Sequence, residues 1–384
     1  MDSPKSYYMS ELLQRKIYPE IQKSLFKGKV IILYGARQVG KTTIAKQLQK
    51  EYQGDYFNCD EPDIRQAFSQ KTSTELKQYL ANKKFIILDE AQRIKDIGLS
   101  LKLLVDNYPE IQIIATGSSS FDLSNSIKEP LTGRKYEFFL YPFAIEELQA
   151  KYSNLELQRL LKDRLIYGSY PEIVQDPVNA TQNLLSISNS YLYKDILAWQ
   201  QIKNPEILDK LLKALALQIG SEVSYNELAS LLQIDKNTVM HYLDILEKAF
   251  IVFRLNPYSS NLRNELKKLR KVYFYDLGIR NALVNNFNPL DLRNDSGALF
   301  ENFVISEIKK LHNNHNSNVN TYFWRNHNKQ EIDLIIEQAG KLFATEIKWN
   351  KSQIKIPLDF SKNYPDSQIQ IINQNNWISA LTSI

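Results

Sequence analysis

The chain has a single cysteine, Cys59, among its 384 residues, so no disulfide can form within it. The opening Met1-Asp2-Ser3-Pro4-Lys5 lacks the apolar core of a secretory signal, and no run approaches the roughly eighteen apolar residues of a membrane-spanning helix. A reducing cytoplasm, away from the membrane, is the expectation. Glycine is scarce too, at 12 residues, less than half the usual share of about 7%. Regularly spaced glycines are therefore informative here. Neither charge dominates: 48 Lys and Arg against 43 Asp and Glu leave +5, too little by itself to indicate a nucleic-acid partner. What is present is 43% hydrophobic and 24% charged residues with ample aromatics. That excludes a disordered or collagenous chain and, at roughly 100–200 residues per domain, allows two or three folded units.

The first third alternates short apolar runs with helical patterns. Strands are predicted at Lys29–Tyr34, Asp55–Cys59, Lys84–Asp89 and Ile111–Thr116, with helices at Lys41–Glu51, Ser73–Asn82 and Ile97–Tyr108 between them. Continuous apolar strands separated by helices predict a parallel sheet covered on both faces, with ligands beyond the carboxyl ends of its strands.

The first strand runs into Gly35-Ala36-Arg37-Gln38-Val39-Gly40-Lys41-Thr42-Thr43, a full G-x-x-x-x-G-K-[ST] match in the strand-to-helix setting it requires. The glycines let successive N–H groups wrap a phosphate, Lys41 would reach the β- and γ-phosphates, and the Thr42 hydroxyl would bind Mg²⁺. Phe85-Ile86-Ile87-Leu88-Asp89-Glu90 supplies the matching carboxylates: Asp89 for the metal and Glu90 as a base that orients water. The pair points to hydrolysis, and the lack of an Asn-Lys-x-Asp guanine reader in this unit favours ATP over GTP. Beyond the next strand, Thr116 and Ser118 are candidates for contact with the γ-phosphate or the attacking water; a plain polar loop is the competing reading. Arg134, in Leu131-Thr132-Gly133-Arg134, is a candidate arginine finger in cis or in trans, the latter requiring a homo-oligomer, and a solvated surface arginine is its alternative.

These motifs, with Leu88–Gln92, Ala115–Ser119, Leu140–Phe143, Tyr167–Pro171, Tyr191–Asp195 and Gly297–Glu301, resemble those of prokaryotic AAA-type ATPases that carry a C-terminal domain of unknown function. The resemblance runs over roughly residues 15 to 350. It implies ATP binding and hydrolysis, a helical lid, a winged-helix segment and a C-terminal part similar to restriction-endonuclease-like folds. In related ATPases a Gly-x-Pro element lies near the nucleotide, here Gly168-Ser169-Tyr170-Pro171.

Helical spacing at Ile145–Lys151, Leu155–Tyr167 and Ala180–Trp199 predicts the lid. Three further helical patterns, Lys210–Gly220, Ser224–Gln233 and Lys236–Phe250, precede a strand pair ending at Val272–Tyr275, the order of a winged helix. Its third helix is not basic, which sets DNA reading against a packing or partner-binding role. The charge excess lies just beyond: Arg254, Arg263, Lys267, Lys268, Arg270, Lys271 and Arg280 face only Glu265 and Asp276, a local surplus equal to the net charge of the whole chain. Arg263, Lys267, Lys268, Arg270 and Lys271 are candidates for salt-dependent phosphate contacts, with a solvated loop as the alternative.

In the last third, Gly297–Leu311 is an amphipathic helix with Glu301 at the edge of its apolar face. Glu331–Ile336 and Lys341–Lys348 predict a hairpin turning at Gln338-Ala339-Gly340, which sets Asp333 opposite Glu346 and puts Lys348 on the face of Glu346. Two carboxylates and a lysine about one divalent metal is the arrangement of a PD-(D/E)xK nuclease, with Glu301 a further candidate; a cross-strand salt bridge in an inactive fold is the alternative. His312, His315 and His327 fall in an Asn-rich stretch read as a polar loop without zinc ligation.

The expected fold is α/β: a P-loop parallel sheet with an N-terminal helix (1–143), a helical lid (144–209), a winged-helix segment (210–285) and an α/β endonuclease-like domain (286–384). The expected cofactors are ATP and Mg²⁺. The expected partner is DNA or RNA met through the wing and the C-terminal domain; the alternative is a protein partner of an ATP-dependent switch that cleaves nothing.

Overall fold

The computed structural model describes residues 13–117, 127, 129–191, 202, 204–258, 270–351, 353 and 356–383. Ser118, Arg263, Lys267, Lys268 and most of the Tyr191–Asp195 motif lie outside the described residues.

The first sheet is built from β1 (Val30–Gly35), β2 (Asp55–Asn58), β3 (Phe85–Asp89), β4 (Gln112–Gly117) and β5 (Lys135–Leu140), all parallel, in the order β2-β3-β4-β1-β5. Central strands β1, β3 and β4 are buried along their whole length, which is why they read as unbroken apolar runs. Helices α1 (Tyr18–Lys23), α2 (Lys41–Glu51), α3 (Pro62–Phe68), α4 (Ser73–Leu80) and α5 (Ile97–Asn107) accompany them, and α2 buries Ile44, Ala45 and Leu48 on one side. Each of the four predicted strands is present within a residue or two.

The segment expected as a lid contains the helices α6 (Ile145–Leu148), α7 (Asn154–Tyr167), α8 (Pro171–Gln175) and α9 (Ala180–Tyr191). Ser153 opens α7 with a capping box, its hydroxyl accepting from the Glu156 amide while the Glu156 carboxylate accepts from the Ser153 amide. Gly168 ends the helix at φ +67°. A Cβ there would meet Asp276 Oδ1 at 2.0 Å, so no other residue fits.

Next come α10 (Pro205–Leu217), β6 (Glu222–Val223), α11 (Tyr225–Leu232), α12 (Lys236–Lys248), β7 (Val252–Pro257) and β8 (Arg270–Phe274), followed by α13 (Leu277–Leu283). Both β6 and β7 lie antiparallel to β8. Then α14 (Ser296–Asn314), β9 (Asn320–Arg325), β10 (Glu331–Gln338), β11 (Lys341–Ile347), α15 (Leu358–Asn363), β12 (Gln368–Ile372) and α16 (Trp377–Thr382) complete the described chain. The β10–β11 turn is two residues, Ala339 and Gly340, both at positive φ, as a tight hairpin needs.

Two findings differ from the sequence expectation. The sheet does not stop at residue 286: β7 pairs in parallel with β9, giving one seven-stranded sheet in the order β12-β11-β10-β9-β7-β8-β6. The histidine stretch is not all loop, because α14 continues through Asn314; His312 is buried in it, and His315 caps it while meeting Glu146 at 2.8 Å. The two sheets share an aromatic seam in which Tyr141 stacks on Tyr275 at 4.8 Å and Phe250 packs between Phe139 and Tyr141.

Candidate functional site

β1 delivers the chain to Gly35 at the carboxyl edge of the first sheet. A Cβ at Gly35 would lie 2.2 Å from the Leu140 carbonyl oxygen, so the close approach of β5 demands this glycine. Gly40, at φ +102°, provides the left-handed step into α2. The Lys41 ammonium donates to the carbonyls of Gly35 and Ala36, each at 2.8 Å. The Thr42 hydroxyl donates to Asp89 Oδ2 at 2.9 Å, and Asp89 stands at the end of β3, two strands away in the sheet.

Asp89 takes two further hydroxyl donors, Tyr56 on Oδ2 and Thr116 on Oδ1. Burial, and after it the carboxylate it touches, pushes the Tyr56 phenol well above its ordinary value, so it stays a donor. Thr116 also accepts from the Glu90 amide at 3.1 Å and is fully buried. The hydroxyl thus joins the Asp89 carboxylate to the Glu90 amide, beside the groups expected to meet phosphate and water. Glu90 sits at φ +57°, a strained conformation for a non-glycine residue that turns it away from the strand line. Tyr56 carries no motif; the signal lay in β2, whose Asn58 pairs with Asp89 and so brings Tyr56 alongside.

A cleft of about 480 Å³ opens over these groups. Lys41, Thr42 and Glu90 line one side, and Pro171, Glu172 and Asp176 of the lid line the other. Of the Gly168–Pro171 element expected near a nucleotide, Pro171 lines this cleft, while the Ser169 amide is held by Asp276. The Thr42 hydroxyl, on the cleft wall, and the Asp89 carboxylate bonded to it are the groups that would hold a hydrated Mg²⁺.

Arg134 is elsewhere. In the β1–β5 register Val30 pairs with Lys135 and Gly35 with Leu140, so Arg134 lies at the opposite edge of the sheet, about 17–20 Å of strand from Gly35. Its guanidinium pairs with Asp106 at 2.5 Å. A finger in cis is excluded by that placement.

The C-terminal carboxylates do assemble. Register Leu334↔Thr345 continues to Asp333 opposite Glu346. Asp333 Oδ2 accepts from the Ile347 amide and from Lys348, both at 2.8 Å, and Lys348 also meets Glu346 at 2.8 Å. Burial and then Asp333 push the Glu346 carboxyl up to about 7, against the pull of Lys348. Asp333 and Glu346 fit a shared cation, but Glu301 does not join them as expected. Its Oε1 accepts from Lys271 at 3.0 Å and Tyr273 at 2.7 Å, and no three His, Cys, Asp or Glu among the described residues are placed to hold one metal ion.

Lys271 is the larger correction. Expected at a phosphate-binding surface, it is 1% exposed and paired with Glu301 and Glu331, whose charges outweigh burial and raise its ammonium above the ordinary lysine value. Arg254 and Arg280 are likewise paired, with Glu247 and Asp295. Arg270, which donates to Asn256, is half-buried, as is Arg254.

Residues 27–149 match the family described as AAA domain. Residues 158–290 and 296–376 match two families described as domains of unknown function, DUF8612 and DUF4143. An uncharacterized Mycobacterium tuberculosis protein is 25% identical over 355 residues, covering 87% of this chain and 74% of that protein. The uncharacterized protein MJ1637 of Methanocaldococcus jannaschii is 29% identical over 336 residues, covering 77% and 70%. An uncharacterized Haemophilus influenzae protein is 25% identical over 366 residues, covering 87% and 86%. A structure of Drosophila ORC bound to AT-rich DNA and Cdc6 aligns over 70% of this chain and 89% of that one, at 12% identity and a TM-score of 0.24, too loosely to carry weight. The AAA match coincides with the first sheet and its phosphate loop, so this part is an ATPase-type domain, and the relatives are prokaryotic. No helix among the described residues is long and apolar enough to cross a membrane.

Proposed function

We propose that the chain binds and hydrolyses ATP and uses it to act on or near nucleic acid. The observation that carries the ATPase part is the Thr42–Asp89 contact at the wall of a cleft shared by the phosphate loop and the lid. Mg²⁺, when bound with ATP, would neutralise charge on the β- and γ-phosphates. This chain's own groups do the rest. The amides of Gly35–Thr43 grip phosphate, Lys41 leaves the loop carbonyls for phosphate oxygen, Tyr56 and Thr116 hold Asp89 in place, and Glu90 orients water. Pro171–Asp176 would close over the nucleotide and report its state through the lid. As a finger Arg134 would have to serve the site of a neighbouring copy, and its pairing with Asp106 favours the alternative of a surface arginine.

The nucleic-acid part rests on Asp333, Glu346 and Lys348, which have the residue types of a metal-dependent phosphodiesterase centre and lie together. The segment α10 to β8 would act as the winged helix, with Arg263, Lys267, Lys268 and Arg270 meeting phosphates. A second reading, an ATP-driven switch that binds a protein partner without cleavage, is favoured by the pairing of Asp333, Glu346 and Glu301 with lysines and by Asp235, which caps α12 through the Thr238 amide at 3.0 Å. The test is purified protein with ATP, Mg²⁺ or Mn²⁺ and single- or double-stranded nucleic acid, beside Lys41→Ala and Glu346→Ala. Cleavage abolished in Glu346→Ala supports the first reading, cleavage indifferent to it removes that centre, and no cleavage with ATPase intact selects the switch.

A further inference from the structure

Arg15 belongs to no motif, yet it is buried and makes three bonds in three directions. Nε donates to Glu147 at 2.8 Å, one terminal nitrogen to the Val39 carbonyl at 2.7 Å, and the other to the Tyr141 carbonyl at 2.6 Å. Its guanidinium also lies over the Phe143 ring at 4.8 Å. Val39 immediately precedes Gly40. In a trans peptide the carbonyl and the following N–H point opposite ways, so a Val39 carbonyl held on Arg15 keeps the Gly40 N–H pointing away from Arg15. Gly40 lines the cleft, where phosphate N–H donors are needed.

The other end of the contact leads out of the nucleotide domain. Glu147, fully buried, accepts from Arg15, the Lys16 amide and the Ala144 amide. The next amide, Ile145, donates to Glu307 of α14 at 2.7 Å, and Lys310 of the same helix bonds Glu307 at 2.7 Å and the Phe143 carbonyl at 3.2 Å. Asn313 donates to the Phe139 carbonyl at 2.7 Å. Residues 139–147 are thus gripped by Arg15 on the phosphate-loop side and by α14 on the other. Six residues back along α14, about 9 Å at 1.5 Å per residue, Glu301 meets Lys271 beside the C-terminal carboxylates.

We propose that Arg15 is a positioning residue of the nucleotide site: it fixes the Val39–Gly40 peptide for phosphate and, through Glu147 and the 143–145 backbone, passes the state of the loop to α14. This rests on the ATPase reading. Lysine can keep the charge opposite Glu147, but a single ammonium on a flexible stem lacks the planar fork that spans three acceptors.

The experiment compares wild type, Arg15→Lys, the charge-removing double variant Arg15→Gln/Glu147→Gln, and Lys41→Ala in the full chain. It measures kcat and KM for ATP, thermal midpoint without nucleotide, and amide exchange over residues 303–315 with and without saturating ATP. Misplaced donors in a phosphate site cost about tenfold to a hundredfold. We expect kcat/KM to fall by that much in Arg15→Lys and in the double variant, including in whichever keeps the wild-type midpoint. We also expect an ATP-dependent exchange change in α14 of the wild type that Arg15→Lys loses at saturation. Wild-type kcat/KM in both variants, an α14 response that persists in Arg15→Lys, or no response in wild type that hydrolyses ATP would overturn the inference. Wild-type turnover no greater than that of Lys41→Ala would instead remove the ATPase reading, and the inference with it.

Discussion

Glu346 is the side chain whose protonation the fold alters most usefully. Its carboxyl, pushed up to about 7 by burial and Asp333, holds its proton more tightly in the folded than in the unfolded chain. A raised folded value means a contribution to stability that is complete below the unfolded value of about 4.3 and is lost as pH rises through about 7. Stability should therefore decline across that window, and Glu346→Gln should flatten the decline, as read by denaturant midpoints from pH 4 to 8; an unchanged slope would show that Glu346 titrates normally. Lys271 offers a complementary test. Replacing it with methionine leaves the largely buried Glu301 without its cation and Glu331 with only Arg325 at 3.7 Å, and should destabilise the chain by about 3–5 kcal/mol in urea unfolding. A neutral effect would mean the lysine is a surface charge, as its sequence surroundings suggest.

Elements show what the sequence made legible and what it hid. β1, β3 and β4 could be read directly because burial on both faces leaves no polar position to break the pattern, and the phosphate loop because its glycine spacing is a backbone requirement. The hairpin register was legible too, since alternation fixes which residues stand opposite. Arg15, Tyr56 and Lys271 were not legible: each acts through a partner 24 to 132 residues away, and nothing local marks an arginine, tyrosine or lysine as buried and paired. Thr116 was legible by its place at a strand end, but not the Asp89 carboxylate and Glu90 amide that its hydroxyl joins. The turn from α7 into α8 supplies a prediction at this scale. Gly168→Ala would drive a methyl into Asp276, whose carboxylate accepts the Ser169 amide at 2.7 Å, at a positive φ besides. A loss of about 2 kcal/mol or more is expected, with a weaker grip of the lid on nucleotide; a thermal midpoint equal to wild type would refute the crowding.

At the scale of the whole molecule, the surplus of five positive charges does not form one described surface. Lys271, Arg254 and Arg280 neutralise buried or half-buried carboxylates and help join the β7–β8 hairpin to its neighbours. Arg270 and the candidates Arg263, Lys267 and Lys268, which lie outside the described residues, are the proposed source of phosphate attraction from that segment. Changing the latter three to glutamine should lower the salt dependence of nucleic-acid binding by two to three, at about 0.7–0.9 per contact, without altering ATP turnover. An unchanged slope would move any nucleic-acid contact elsewhere. The second sheet joins β6–β8 to the C-terminal strands, and α14 contacts the segment that follows β5, which is the route the proposed coupling would take.

The claim on which all of this depends is that the Gly35–Thr43 loop and the Asp89–Glu90 pair hydrolyse ATP. Single-turnover release of γ-phosphate by wild type and Glu90→Gln, each at saturating ATP with binding checked in parallel, measures it most directly. The account predicts that Glu90→Gln binds ATP as wild type does and releases phosphate at least about a hundredfold more slowly, the loss expected on removing a general base. Release at the wild-type rate from Glu90→Gln would contradict it.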